Sequence, residues 1–313
     1  MKALIAVPIS FLALCLALGP RAAQAEGSPP SAEDWSSISI AQSHLKNAPA
    51  LVAERDDYPT FSREMIELSW RGGDPIHLFL ILPKGHPKPP VVLYLYSYPA
   101  DTDRFMDDDF CKFLARDGVA AAGFVSALTG QRYHGRPLKE WFVSELQESI
   151  GSSVHDVQMI LNYLAARGDV DTARAGMFGE GSGAAVAILA AAADSRIKAL
   201  DLVDPWGDWP DWLSQSALVP GEERADYLKP EFLQRVARLD PVEWFHKVKV
   251  PVRLQYLSEP QVTPQIVRER IAAAAPPQAK VIAYKDAVAQ YKAAKLKFFD
   301  WIESQLLAVE TVK

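Results

Sequence analysis

Short runs of consecutive apolar residues alternate along this chain with longer stretches of helical period. Residues 65–70 and 76–82 read as two strands joined by the turn Arg71-Gly72-Gly73-Asp74. Residues 91–96 (Val-Val-Leu-Tyr-Leu-Tyr) follow Pro89-Pro90 as an unbroken apolar run, the pattern of a strand buried on both faces. A helix is predicted over 110–116, ended by Asp117-Gly118, and a strand over 119–124. Over 154–167 the helical period sets Val157, Ile160, Leu161 and Leu164 on one face. Residues 176–178 form a short strand, and 183–193 a helix of small residues without a charge on any face, which must be buried all round. Three further strands fall at 199–203, 252–256 and 281–284, with helices at 231–238, 264–274 and 288–307. A hairpin followed by strand–helix alternation predicts an α/β fold, a mostly parallel eight-stranded sheet with helices on both faces.

Three segments stand outside this rhythm. Met1-Lys2, the apolar run 3–18 and Ala23-Gln24-Ala25 have the layout of a secretory signal peptide, expected over 1–25. The run is too short for a membrane span, which needs roughly twenty residues. Residues 26–60 are polar and punctuated by Pro and Ser, and are expected to be an N-terminal extension to a domain over 61–313. A long Trp- and Pro-rich stretch, about 205–241, is expected to be a cap inserted after the sixth strand.

Composition narrows the partners. The net charge is −6, and loss of 1–25 removes Lys2 and Arg21 but no acid. An acidic surface argues against nucleic acid and anionic membrane and leaves a small-molecule ligand or substrate as the expected partner. Cleavage also leaves Cys111 as the one cysteine, so an exported, periplasmic or secreted chain would have no internal disulfide. Neither oligomeric state nor the choice between periplasm and exterior follows from the sequence.

The most informative turn is Ala175-Gly176-Met177-Phe178-Gly179-Glu180-Gly181-Ser182-Gly183-Ala184, which passes from strand to helix through small residues. Two chemistries use such a turn. Gly179-x-Gly181-x-x-Ala184 fits a dinucleotide fingerprint, with Asp204 ending the next strand, although that motif normally opens its domain and here four strands precede it. The other chemistry is the strained turn that lifts a nucleophile above an α/β-hydrolase sheet.

Residues 61–310 resemble the α/β-hydrolase superfamily, in the style of its dienelactone-hydrolase and prolyl-oligopeptidase-like members. The resemblance rests on the opening hairpin and Asp171-x-x-Arg174-x-Gly176-x-x-Gly179, on the Ala-rich helix that follows, and on Val250-Pro251-Val252 before the penultimate strand. It implies a Ser-His-acid triad, and there the chain departs from it. Aligning Gly179 and Gly183 with the outer glycines of G-x-S-x-G puts Gly181 at the nucleophile position, and Ser182 one residue late, preceded by Glu180. Glu259 has the position of the triad acid. The loop after the last strand has no histidine, and His134, after the fourth strand, is the substitute base.

Other candidate residues gather at the predicted strand ends. Ser97 and Tyr98 occupy the oxyanion region, and Arg132 and Tyr133 are expected to face a ligand. Asp204, Trp206, Asp208 and Trp209 would either hold a planar ligand or staple the cap to the core. Asp204, Glu180 and Glu259 are the acids able to converge, but their spacing has no metal-ligand pattern, and no cofactor is expected. The sequence thus predicts an exported hydrolase-like protein that lacks standard serine catalysis and binds a small ligand in a retained pocket. The alternatives are an ester or peptide hydrolase using Ser182, Glu259 and a non-standard base, or a dinucleotide binder.

Overall fold

The computed structural model describes residues 33–43, 45–71, 74–129, 132, 141–258, 262–295 and 297–308. The predicted signal peptide, Tyr133, His134 and Glu259 lie outside them. Nine strands form one sheet: β1 (Leu51–Asp57), β2 (Phe61–Leu68), β3 (Ile76–Pro83), β4 (Pro90–Leu95), β5 (Ala120–Gly123), β6 (Asp171–Glu180), β7 (Ile197–Val203), β8 (Val252–Leu257) and β9 (Lys280–Tyr284). Their spatial order is β1-β2-β3-β5-β4-β6-β7-β8-β9. β1, β2 and β3 pair antiparallel, β3 joins β5 antiparallel, and β5 through β9 run parallel.

The sheet has one strand more than the apolar pattern gives. β1, within the segment expected to be an extension, is exposed at six of its seven positions. With no buried face it has no alternation to read, and its backbone pairing to β2 holds it in place. Helix α2 (Leu146–Arg167) starts eight residues before its predicted beginning. Its first turns bury small polar residues instead of apolar ones: Ser149 donates to the Phe142 carbonyl (2.8 Å) and Ser153 to the Ser149 carbonyl (2.5 Å). The long C-terminal helix is in fact two, α9 (Ala287–Ala294) and α10 (Asp300–Leu307), because Lys295 turns left-handed (φ +48°) and closes α9.

Two apolar layers enclose the sheet. On one face lie α2, α3 (Ser182–Ala193), the short insertion helices α4 (Trp209–Gln215), α5 (Arg224–Tyr227), α6 (Pro230–Val236) and α7 (Pro241–Phe245), and α8 (Gln265–Ala274), in one core with Leu78, Leu93, Met177 and Leu202. On the other, α1 (Asp108–Ala115) and α10 cover Val92, Tyr94, Phe178 and Val203. Side chains two apart on a strand share a face, so the residues two positions after Phe178 and Tyr94 fall on the α1/α10 side. No described helix is long and apolar enough to cross a membrane.

Ahead of β1 the chain lies along α2. Gln158 donates to the Ile38 carbonyl (2.8 Å) and accepts from Ile40 N–H (3.2 Å), while Asn47 donates to the Met159 carbonyl (3.1 Å). A charged cluster fastens the start of this arm. Arg71 contacts Glu33 (2.6 Å), Asp74 (2.6 Å) and Asp156 (3.3 Å), and His155 lies 2.7 Å from both Glu33 and the Ser37 carbonyl. Arg132, expected to face a ligand, is instead the buried centre of this cluster. It reaches Asp156 and Asp74 at 2.6 Å each and donates to the Val125 carbonyl. Two carboxylates and a carbonyl take up its donors, leaving it no role as a ligand clamp.

Two outcomes follow from the cluster. Arg132→Ala leaves Asp74 and Asp156 without their main counter-charge and should lower unfolding free energy by about 3–5 kcal/mol in urea titrations. Burial opposes ionisation of Glu33, but hydrogen bonds from Arg71 and His155 and attraction to both outweigh it, holding the carboxyl at about 2. A folded-state value below the ordinary one means the contribution is complete above the unfolded-state pKa and is lost as pH falls. The stability gap between wild type and Glu33→Gln should therefore shrink between about pH 4.5 and about pH 2, and a gap unchanged over that window would refute the clasp.

Candidate functional site

The turn between β6 and α3 is tight enough that its glycines are required sterically. A Cβ on Gly179 would come within 2.6 Å of the Ala184 Cα, and one on Gly183 would overlap the Leu95 carbonyl oxygen at the end of β4. At the apex Gly181 has φ +53° and ψ −114°, a conformation that L side chains rarely adopt. Its N–H donates to the Val203 carbonyl (2.9 Å), and its carbonyl accepts from Trp206 N–H (3.1 Å). The volume into which a side chain would project is filled. A Cβ there would overlap Ser97 Oγ, approach Ser97 Cβ to 2.7 Å and lie 2.9 Å from Trp206 Nε1.

Ser182, the next residue, is the first of α3 and is fully buried. Its Oγ accepts the Tyr98 backbone N–H at 2.8 Å. The hydroxyl therefore ties α3 to the loop after β4. Ser97, Tyr98, Gly181, Ser182 and Trp206 thus meet in one small, closed knot.

The cap tryptophans belong to the core. Trp206 and Trp209 are buried, Trp206 packs on Trp212 with ring centroids 4.5 Å apart, and Trp209 Nε1 donates to the Leu239 carbonyl (3.1 Å). Asp204, left-handed at φ +43°, accepts Leu257 N–H (3.1 and 3.2 Å) and faces Arg268 Nε at 3.4 Å, joining the ends of β7 and β8. Burial, only partly offset by Arg268 and by the Leu257 N–H, pushes its carboxyl up to about 6. Asp208 pairs with Arg270 (3.0 Å), and burial likewise raises it to about 6. With Trp209, Asp240 and Trp244, Asp208 lines a cavity of about 660 Å³ on the insertion.

Glu180 parts company with these residues. Two positions after Phe178, it shares that residue's face and enters a second cavity of about 660 Å³ on the α1/α10 side. This cavity lies at the carboxyl ends of β4, β6, β7 and β8, contributed by Tyr96, Glu180, Val203 and Leu257. Phe110 and Phe113 of α1, Val288 and Tyr291 of α9, and Phe298 and Phe299 complete an almost wholly apolar lining. Burial raises the Glu180 carboxyl above the ordinary range, opposed only by attraction to Arg104. The crevice outside the carboxyl ends of strands, beside the point where strand order reverses, is where open α/β sheets bind ligands. Here that point falls between β4 and β6.

No family model matches the chain, and no curated protein does. Solved structures do. Acetyl xylan esterase 1 from Thermoanaerobacterium sp. JW/SL YS485 superposes with TM-score 0.66 and 15% identity, over 84% of this chain and 89% of that one. The acetyl xylan esterase from Paenibacillus sp. R4 gives 0.66 and 17%, over 83% and 90%. An S-formylglutathione hydrolase from Agrobacterium tumefaciens gives 0.60 and 13%, over 82% and 99%. The chain has the α/β-hydrolase fold.

In an α/β-hydrolase fold the strand-to-helix turn after β6 is the nucleophile elbow, and its apex residue is the nucleophile. At the apex of the turn after β6 in this chain stands Gly181. Glu259 and His134, the expected acid and substitute base, and Tyr133 lie outside the described residues. The sequence reading did not name most of the cavity's walls. Phe298 and Phe299 were hidden inside an apparently continuous helix, and α9 exposes Val288 and Tyr291, each at 59%, against any amphipathic reading. One available signal was Tyr94-x-Tyr96, whose spacing of two carries the aromatic face past the end of β4.

Restoring a serine at the apex should fail structurally. Gly181→Ser adds strain at positive φ and overlap with Ser97 and Trp206, at a cost of about 2–4 kcal/mol. Ser97→Gly in the same chain should recover part of that loss, a coupling read by a double-mutant cycle in denaturant. An unchanged unfolding midpoint in Gly181→Ser would show that the knot has room.

Proposed function

We propose that this chain is a non-hydrolytic member of its fold that binds a small ligand in the cavity at the carboxyl ends of β4, β6, β7 and β8. The observation that carries the reading is the filled apex: Gly181 offers no nucleophilic atom, and Ser97 and Trp206 occupy the space where one would stand. Ser182 does not replace it, since its oxygen is buried and bonded to the Tyr98 amide. The cavity remains, open at the strand ends and apolar, with few polar groups, as small-molecule sites are. The apolar run 3–18 before Ala23-Gln24-Ala25 supports export, with cleavage after Ala25.

One measurement bears on both parts. Intact mass of the protein purified from cells, after incubation with a fluorophosphonate, should show a chain beginning at Glu26 and no adduct. An adduct on native protein that is absent in Ser182→Ala would make Ser182 a working nucleophile and overturn the non-hydrolytic reading. A mass retaining residues 1–25 would overturn cleavage alone.

A further inference from the structure

Within the cavity at the strand ends stands one carboxyl, that of Glu180. Glu180 is half-buried, and among the described residues its carboxyl accepts no hydrogen bond and forms no ion pair. Arg104 attracts it from a distance, but that guanidinium is exposed to solvent and lies 3.5 Å over the Tyr96 ring. The side-chain amide of Gln290, also in the lining, donates to Gln255 Oε1 (3.1 Å). A carboxyl held in apolar surroundings without a donor is costly, and a ligand that brings N–H groups and positive charge removes the cost.

The rest of the lining suits the same ligand. Phe110, Phe113, Tyr291, Phe298 and Phe299 surround the space with aromatic rings, which attract a cation through their faces and accept a hydrophobic body by burial. A ligand carrying a carboxylate would set a like charge against Glu180 and depend on Arg104, already stacked and solvated. A neutral ligand could donate a hydrogen bond to Glu180 but would leave its charge unpaired. We propose that this cavity takes a hydrophobic organic amine, its ammonium group on the Glu180 carboxylate and its apolar body among the rings of α1, α9 and the segment before α10. The inference rests on the reading of the cavity as a ligand site and names the chemistry that the site selects.

A ladder of three ligands with one body and different heads tests it: phenethylamine, phenethyl alcohol and hydrocinnamate, titrated calorimetrically at neutral pH into wild type and Glu180→Gln. The amine should bind wild type at least about tenfold more tightly than the alcohol, the scale of one charge-assisted hydrogen bond. Glu180→Gln should bring the amine down to the level of the alcohol while leaving the alcohol unchanged. If the alcohol or the carboxylate binds wild type as tightly as the amine, the amine assignment is wrong and the cavity still stands as a ligand site. If none of the three binds, the cavity reading itself fails. An amine preference that survives in Glu180→Gln would also overturn the proposal, because the selection would then come from elsewhere.

Discussion

The turn at Gly181 is held by close packing of three chain segments that are far apart in sequence. The end of β6, the loop after β4 and the first residues after β7 converge there. Gly183 lies against the Leu95 carbonyl, Ser182 accepts the Tyr98 amide, and Trp206 donates to the Gly181 carbonyl while its ring closes the space above. In this fold that space belongs to a nucleophile. Here the hydroxyl of Ser97 and the indole of Trp206 fill it, so the packing that fixes the turn leaves no room for a side chain at Gly181. The insertion is anchored through Trp206, Trp209 and Trp212, and thereby depends on the elbow remaining free of a side chain.

Charge is distributed with corresponding economy. Arg132 and Arg71 are neutralised by Glu33, Asp74 and Asp156 in a closed cluster just past the end of β5, where Arg132 also donates to the Val125 carbonyl. Asp204 joins two strand ends through the Leu257 N–H and Arg268, which makes its raised carboxyl a structural fastener. Glu180 alone of these acids faces an apolar space without a donor. A carboxyl in a largely apolar cavity gives a ligand a direction by charge, whereas aromatic walls contribute affinity without direction.

Much of the fold was legible because a strand buried on both faces, such as 91–96, and a helix without charges, such as 183–193, admit few other readings. The elements that escaped obey other rules. β1 is held by backbone pairing at a solvated edge, and the first turns of α2 are buried through serines that satisfy their hydroxyls on carbonyls of the same neighbourhood. Neither leaves an apolar period. The gap between α9 and α10 was hidden because Lys295 takes a left-handed conformation that its identity does not announce.

By itself the sequence determined that glycine occupies position 181 in the strand-to-helix turn, and that residues 285–313 contain no histidine. Both are statements about which atoms exist, and no arrangement of the chain can supply a missing atom. Tertiary structure alone decided where the remaining groups point. It turned Ser182 inward onto Tyr98, drew Arg132 into an internal ion cluster, buried the tryptophans beneath the insertion and sent Glu180 to the opposite face of the sheet. These outcomes depend on strand order and on contacts between residues tens of positions apart, and local pattern carries no record of them.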